Sequence, residues 1–182
     1  MPLEFTTSYL EDSIAILSYY KRLGTEAIAQ ASDESLCTAL DEESNSIAII
    51  VKHIAGNMRS RWPDFLTTDG EKPDRDRDAE FVAPPLSRAE ISALWEGGWN
   101  CVFEALEPLT DAELSRVVLI RGERHSVMQA ITRQIAHYAY HVGQIVYLAK
   151  HFSHGQWRSL SVPRGKSADF NSRVMSGRAS QR

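Results

Sequence analysis

Cysteine is nearly absent from this chain: Cys37 and Cys101 are the only two among 182 residues, and they form no CxxC pair. That speaks against a disulfide framework and for a reducing compartment. An excess of one charge is lacking too. With 20 Lys+Arg against 24 Asp+Glu the net charge is -4, so no nucleic-acid partner is expected. Long apolar runs are missing: Ile47-Ala48-Ile49-Ile50-Val51, the longest in the first half, falls far short of the roughly 20 residues that span a bilayer. The start, Met1 to Phe5, carries Glu4 and no basic region leading into an apolar stretch. No targeting segment and no membrane partner are therefore expected, and a cytoplasmic location is the expectation. No GxSxG or P-loop pattern occurs, which argues against a nucleophile-elbow serine hydrolase and a P-loop NTPase. No repeat recurs at a fixed period. What remains is ordinary: 43% hydrophobic and 24% charged residues exclude a disordered or fibrous chain and suit one domain.

Helical periodicity dominates what is there. A first segment, 4–31, places Phe5, Tyr9, Ile16, Tyr19, Tyr20, Leu23 and Ile28 at helical spacing. A second, 44–66, carries the stripe Ile47, Ile50, Val51, Ile54, Met58, Trp62 and Phe65, with Pro63 set to end or kink it. A third starts at Ser87, which has Glu90 at capping-box spacing, and stops before Pro108; Gly97-Gly98 in its middle suits a close backbone approach. The fourth covers 126–152. Residues 117–125, a β-branched run meeting Arg121-Gly122, read as a small hairpin before that last long helix. The predicted architecture is all-α: a four-helix bundle over residues 1–157. The 67–86 stretch reads as a long charged loop, a length that in compact domains often marks function. From residue 158 on, a basic tail partly ordered at most is expected to 182. Over 155–182 there are six basic residues and one acid, Asp169.

Histidine is the one mild excess, with six residues. His137 and His141 stand at i, i+4, so their rings lie about 40° apart around the helix axis and one turn apart along it. Two imidazoles so placed reach one point, as a divalent metal requires. They sit beside the stripe Val127, Ile131, Tyr138, Val142, Ile145 and Ala149, the edge of a core face, where bundles build metal sites. His53, on the flank of the second stripe, is a candidate third ligand. Metal-free, hydrogen-bonded histidines remain an alternative at this point. His125, His151 and His154 are placed off the site, His125 as a structural hydrogen-bonding residue.

His53-Ile-Ala-Gly-Asn57-Met-Arg-Ser-Arg61-Trp62 and His137-Tyr-Ala-Tyr-His141-Val-Gly-Gln-Ile145 together resemble the DinB-like superfamily, in one of its uncharacterised domain-of-unknown-function branches. Asp69-Gly-Glu-Lys-Pro, Arg124-His125-Ser126-Val127-Met128 and Ser161-Val-Pro-Arg-Gly-Lys166 are the branch-like features. The resemblance runs from the first helix to about Asn171. It implies a four-helix bundle with a metal held between helices by His53, His137 and His141. It also implies a homodimer, and relatives that include thiol-dependent S-transferases using mycothiol or bacillithiol. The 67–86 loop departs from the shortest family pattern, which puts transfer of any relative's substrate in doubt.

Around such a site, Asn57 and Gln134 are candidate partners that orient an imidazole or a bound water. Arg59 and Arg61 read as ion-paired with Asp64 or nearby Glu residues, with carboxylate or phosphate binding as the second option. Tyr138 and Tyr140 read as packing residues. Three histidines suit zinc, nickel or iron. A metal there lowers the pKa of bound water, or of a low-molecular-weight thiol cosubstrate. The expected protein is therefore a metal-binding bundle with a small-molecule substrate, leaning to a metal-dependent transferase rather than a hydrolase. The competing class is a non-catalytic metal-binding or protein-interaction bundle.

Overall fold

Serine caps set the starts of the main helices. The structure, a computed structural model, describes residues 8–82, 84 and 87–179. Helix α1 (Tyr9–Gln30) begins where the Ser8 hydroxyl accepts from the Glu11 amide; the expected start at Glu4, with Phe5, lies outside the described residues. Ser32 then caps a one-turn helix, α2 (Asp33–Cys37), where the sequence suggests only a break. Helix α3 (Ile47–Arg61) follows Ser46, and α4 (Arg88–Leu106) follows Ser87, whose capping box with Glu90 forms as the spacing predicts. Strands β1 (Val117–Ile120) and β2 (Glu123–Ser126) pair antiparallel, Val117 opposite Ser126. Their turn has positive φ at both Arg121 and Gly122, the backbone of a tight type I′ connection. Ser126 then forms a further capping box, with Gln129, and opens α5 (Val127–His151). A last short helix, α6 (Ser167–Met175), buries none of its residues, and nothing in the apolar periodicity announces it.

The architecture is all-α, four long helices with one hairpin before α5, as expected. Helix α1 packs chiefly on α5, and α3 packs on both α4 and α5. The predicted α3 stripe is buried throughout, from Ile47 to Phe65, and the helix stops at Arg61, two residues before Pro63. A Cβ on Gly98 would stand 3.0 Å from the Ala55 Cα and from Met58 Sδ, so this glycine lets α4 lie directly on α3. Gly97 meets nothing and contributes no such contact.

Helix α1 turns a different face inward from the one its large residues suggest. Leu10, Ser13, Leu17, Gly24, Ala27 and Ile28 are buried, whereas Ile16 and Tyr19 are exposed. Gly24 makes room for Trp95 of α4, whose indole N–H donates to Thr25 at 2.9 Å. Past α5, Trp157 and Leu160 pack against the core, and the Gln30 carboxamide brackets the backbone of Arg158 with bonds of 2.8 and 3.1 Å.

The 67–82 stretch is fastened rather than loose. Asp69 accepts from the amides of Glu71, Arg121 and Gly122, and the Gly70 amide donates to the Leu119 carbonyl at 2.8 Å, which ties the loop to the hairpin. A 3-10 turn at Asp78–Phe81 then folds back against α3. Residues 83, 85 and 86 of the predicted loop lie outside the described ones.

Candidate metal centre

The apolar stripes of α3 and α5 face one another, and that places the histidines on their edges side by side. The Nε2 atoms of His53 and His137 lie 3.4 Å apart, and those of His137 and His141 lie 3.2 Å apart. One ligand atom from each of the three lies within 4.8 Å of the others. These separations match the edge of a tetrahedron, which for metal–nitrogen bonds of about 2.0–2.1 Å is roughly 3.3–3.4 Å. Among the described residues, no other His, Cys, Asp or Glu joins the group. His125 turns its Nδ1 to the Glu123 carbonyl, 3.1 Å away, and His151 and His154 are exposed, so all three stand apart as expected.

Hydrogen bonds on the outer ring nitrogens fix which atoms face inward. The His53 Nδ1–H donates to Glu80 Oε2 at 2.8 Å, and the His141 Nδ1–H donates to Gln144 Oε1 at 2.7 Å. Gln144 in turn donates to the Tyr140 hydroxyl at 3.2 Å. With protons on Nδ1, the Nε2 atoms of His53 and His141 present lone pairs toward His137. A cation among the three nitrogens, or a proton on His137 Nε2, satisfies lone pairs gathered at this distance. Protonation is disfavoured: burial, together with the neighbouring His141 and His53, pushes His137 down to about 3, and burial also lowers His141. Three imidazole Nε2 atoms converging on one point are the donor set a divalent cation takes, so the residues present fit a metal.

Glu80 comes from the loop, not from a helix of the bundle. Its carboxylate accepts from Arg75 Nε at 2.8 Å and Nη2 at 3.0 Å while it holds His53. Burial pushes its carboxyl up, but the hydrogen bonds from His53 and Arg75 and the Arg75 charge outweigh this and leave it below the ordinary value. A Cβ on residue 56 would collide with this carboxylate, so Gly56, three residues after His53, opens the path by which Glu80 reaches the ring. Phe81 lies against the same imidazole, ring centroids 4.7 Å apart. The carboxylate–histidine pairing is the arrangement that orients metal-ligating imidazoles and raises their basicity.

The two expected orienting residues, Asn57 and Gln134, line the cavity beside His53 and His137, and neither hydrogen-bonds an imidazole. Asn57 is buried and accepts from the Tyr138 hydroxyl at 3.1 Å, which itself accepts from the Trp62 indole at 2.9 Å. Gln134 is buried on the α5 side, and its Oε1 has no hydrogen-bond partner. The partners actually on the imidazoles, Glu80 and Gln144, were not singled out from the sequence. Gln144 stands three residues past His141 on the same helix, a spacing the sequence displays. Glu80 sits 27 residues from His53 in an aperiodic stretch, and no spacing rule finds it. Tyr138 packs as predicted, fully buried against Trp99, but Tyr140 is exposed and lays its ring against His141. Arg59 is exposed, and Arg61 is buried with one long contact, 3.5 Å, to Glu71. A cavity of about 240 Å³ opens beside His53 and His137, with Arg61 and Gln134 in its lining.

A family model described as "Protein of unknown function (DUF1572)" matches residues 4–166. The chain belongs to that family. The crystal structure of a DinB-like protein from Bacillus cereus ATCC 10987 is similar to this DUF1572 protein at a TM-score of 0.58. It covers 78% of this chain and 91% of its own, at 16% identity. That likeness is one of fold, and it gives the DUF1572 bundle the DinB-like architecture its two histidine motifs imply. No curated protein matches the sequence.

Proposed function

We propose that this protein binds one divalent metal, zinc, nickel or iron, through His53, His137 and His141, and uses it as a transferase acting on a small molecule. The observation that carries the reading is the inward convergence of three Nε2 atoms, two of them fixed by hydrogen bonds on the opposite ring nitrogen. Three protein ligands leave a coordination position for water or substrate, which favours chemistry over a purely structural site. When bound, the metal supplies Lewis acidity and lowers the pKa of a water or thiol at that position. The chain's own part is to orient: Glu80 and Gln144 hold two rings, and Arg75 holds Glu80.

A low-molecular-weight thiol is the cosubstrate we propose, because neither cysteine belongs to the site. Cys101 donates to the Gly97 carbonyl within α4, and burial raises its thiol pKa, so it is no ready nucleophile. The cytoplasmic location fits two free cysteines, and no helix among the described residues is long and apolar enough to cross a membrane. A homodimer belongs to the same proposal; the exposed rings of Tyr140 and Tyr147 on α5 offer apolar area for it. The test is a screen of low-molecular-weight thiols against electrophiles, before and after chelation. Turnover that disappears with the metal and returns on its readdition supports the transferase. Turnover that survives chelation overturns it.

A further inference from the structure

Five buried side-chain polar atoms lack a hydrogen-bond partner among the described residues, and four of them belong to residues that line one cavity. They are Arg61 Nε and Nη1, Gln134 Oε1 and His137 Nδ1; the fifth, the Trp99 indole nitrogen, belongs to an aromatic cluster in the core. Buried polar groups in native proteins are almost always paired, so a cluster of unpaired ones around an open space marks a place for a polar guest. Arg61 is the strongest of these signals, because it is 6% exposed and its guanidinium has a single 3.5 Å contact. A buried guanidinium left so poorly paired is costly.

The sign of the guest follows from the lining. Arg61, Arg75, Arg77, Arg121 and Arg133 all contribute to the wall, and no carboxylate does. The acids that lie behind it, Glu71 and Glu80, are shared among Arg61, Arg75 and Arg121. Among the described residues Arg77 pairs with one acid, the exposed Asp78 at 3.9 Å, and lies over the Phe81 ring, while Arg133 forms no ion pair. Positive charge is therefore in excess around a space too small for a macromolecule, which favours a small anion.

We infer that this cavity is an oxyanion subsite, in which Arg61 from the floor and Arg133 from the rim bind a carboxylate or phosphate group of the substrate beside the histidine cluster. Guanidinium groups recognise both through paired N–H···O bonds. Reading the anion as part of a substrate rests on the proposed metal site; the anion site itself does not. Gln134 lines the same wall, and a hydroxyl or protonated oxygen of the guest satisfies its free carbonyl.

Inorganic phosphate and acetate, titrated separately into chelator-stripped and metal-loaded full-length protein, test the inference. Wild type, Arg61→Gln and Arg133→Gln are compared, with metal content measured on each. The metal-free wild type is expected to bind at least one of the two anions saturably, and the tighter one names the group. Arg61→Gln should weaken that binding about tenfold or more, as loss of a charge-assisted hydrogen bond does. Arg133→Gln, an exposed change that leaves the core intact, should weaken it a few-fold and decides the matter if Arg61→Gln fails to fold; both variants should keep the metal content of wild type. Absence of binding to the metal-free protein, or binding unaltered in the folded variants, overturns the subsite. Anion binding that needs the metal and ignores both arginines also overturns it and leaves the metal reading standing. Arginine-dependent binding by a chain that takes up no metal does the reverse.

Discussion

Helix α5 and the loop at 67–82 both serve the histidine cluster, and they do so by opposite means. Helix α5 positions His137 and His141 through burial. Ile131, Tyr138, Val142 and Ile145 are buried on the neighbouring face, so the helix cannot rotate without exposing its stripe; packing places both rings, and Gln144 of the same helix orients that of His141. The loop has no such stripe. It is held by charge and hydrogen bonds: Asp69 clamps the hairpin turn, Glu71 and Arg75 pair, and Arg75 presents Glu80 to His53. Packing decides where the rings are, and the loop decides which nitrogen of His53 faces the centre. Damage to α5 should therefore remove the site, while damage to the loop should weaken it.

The largest effect is expected from His137→Ala, which removes the central member of the cluster. Metal content by elemental analysis should fall to below about a tenth of wild type, whereas loss of an outer partner, typically ~10–100-fold in affinity, leaves all three ligands in place. Helical circular dichroism should be unchanged. Equal metal content in variant and wild type would show that the cluster is not the site. Next comes Glu80→Gln, which keeps an acceptor for His53 but removes the charge shared with Arg75. Metal affinity by competition with a chelator should drop about tenfold, and stability in urea by about 2 kcal/mol. An affinity like that of His137→Ala would mean that loop and helix do not differ in kind.

These two predictions separate what the sequence discloses from what it hides. The stripes of α3 and α5, the capping box at Ser87, the hairpin and the His137/His141 pair are local patterns, each readable within one element, while His53 lies on another helix and joins the pair through the family resemblance. The α1 face escapes that reading because several of its buried residues are small: a sequence stripe weighs large apolar residues, and here Ser13, Gly24 and Ala27 share the buried face, Gly24 against Trp95. Glu80 escapes because its partner lies on another element and the intervening chain has no period. The same holds for the arginine-lined cavity, whose wall draws on α3, the loop, the hairpin and α5.

The smallest effect concerns the clamp at Asp69. Its slight burial pushes the carboxyl up, but the amides of Glu71, Gly122 and Arg121 pull harder and leave it below the ordinary value. A depressed folded-state pKa contributes stability above the unfolded-state value, near 3.9, which is lost as pH falls through the folded one. Amide hydrogen exchange at Arg121 and Gly122 should therefore be protected at neutral pH and accelerate below about pH 4, relative to the intrinsic rate. Asp69→Ala should show that loss of protection at every pH, with the exchange of α5 untouched. Acceleration in α5 as well would make loop and helix one cooperative unit and end the contrast between them.

X-ray absorption at the metal edge of the protein as purified tests the central claim most directly. Three imidazole nitrogens at about 2.0–2.1 Å with at least one further light atom from solvent, and no sulfur, is the predicted first shell. A sulfur scatterer near 2.3 Å, a shell with fewer than three imidazoles, or a protein that holds no metal would contradict it.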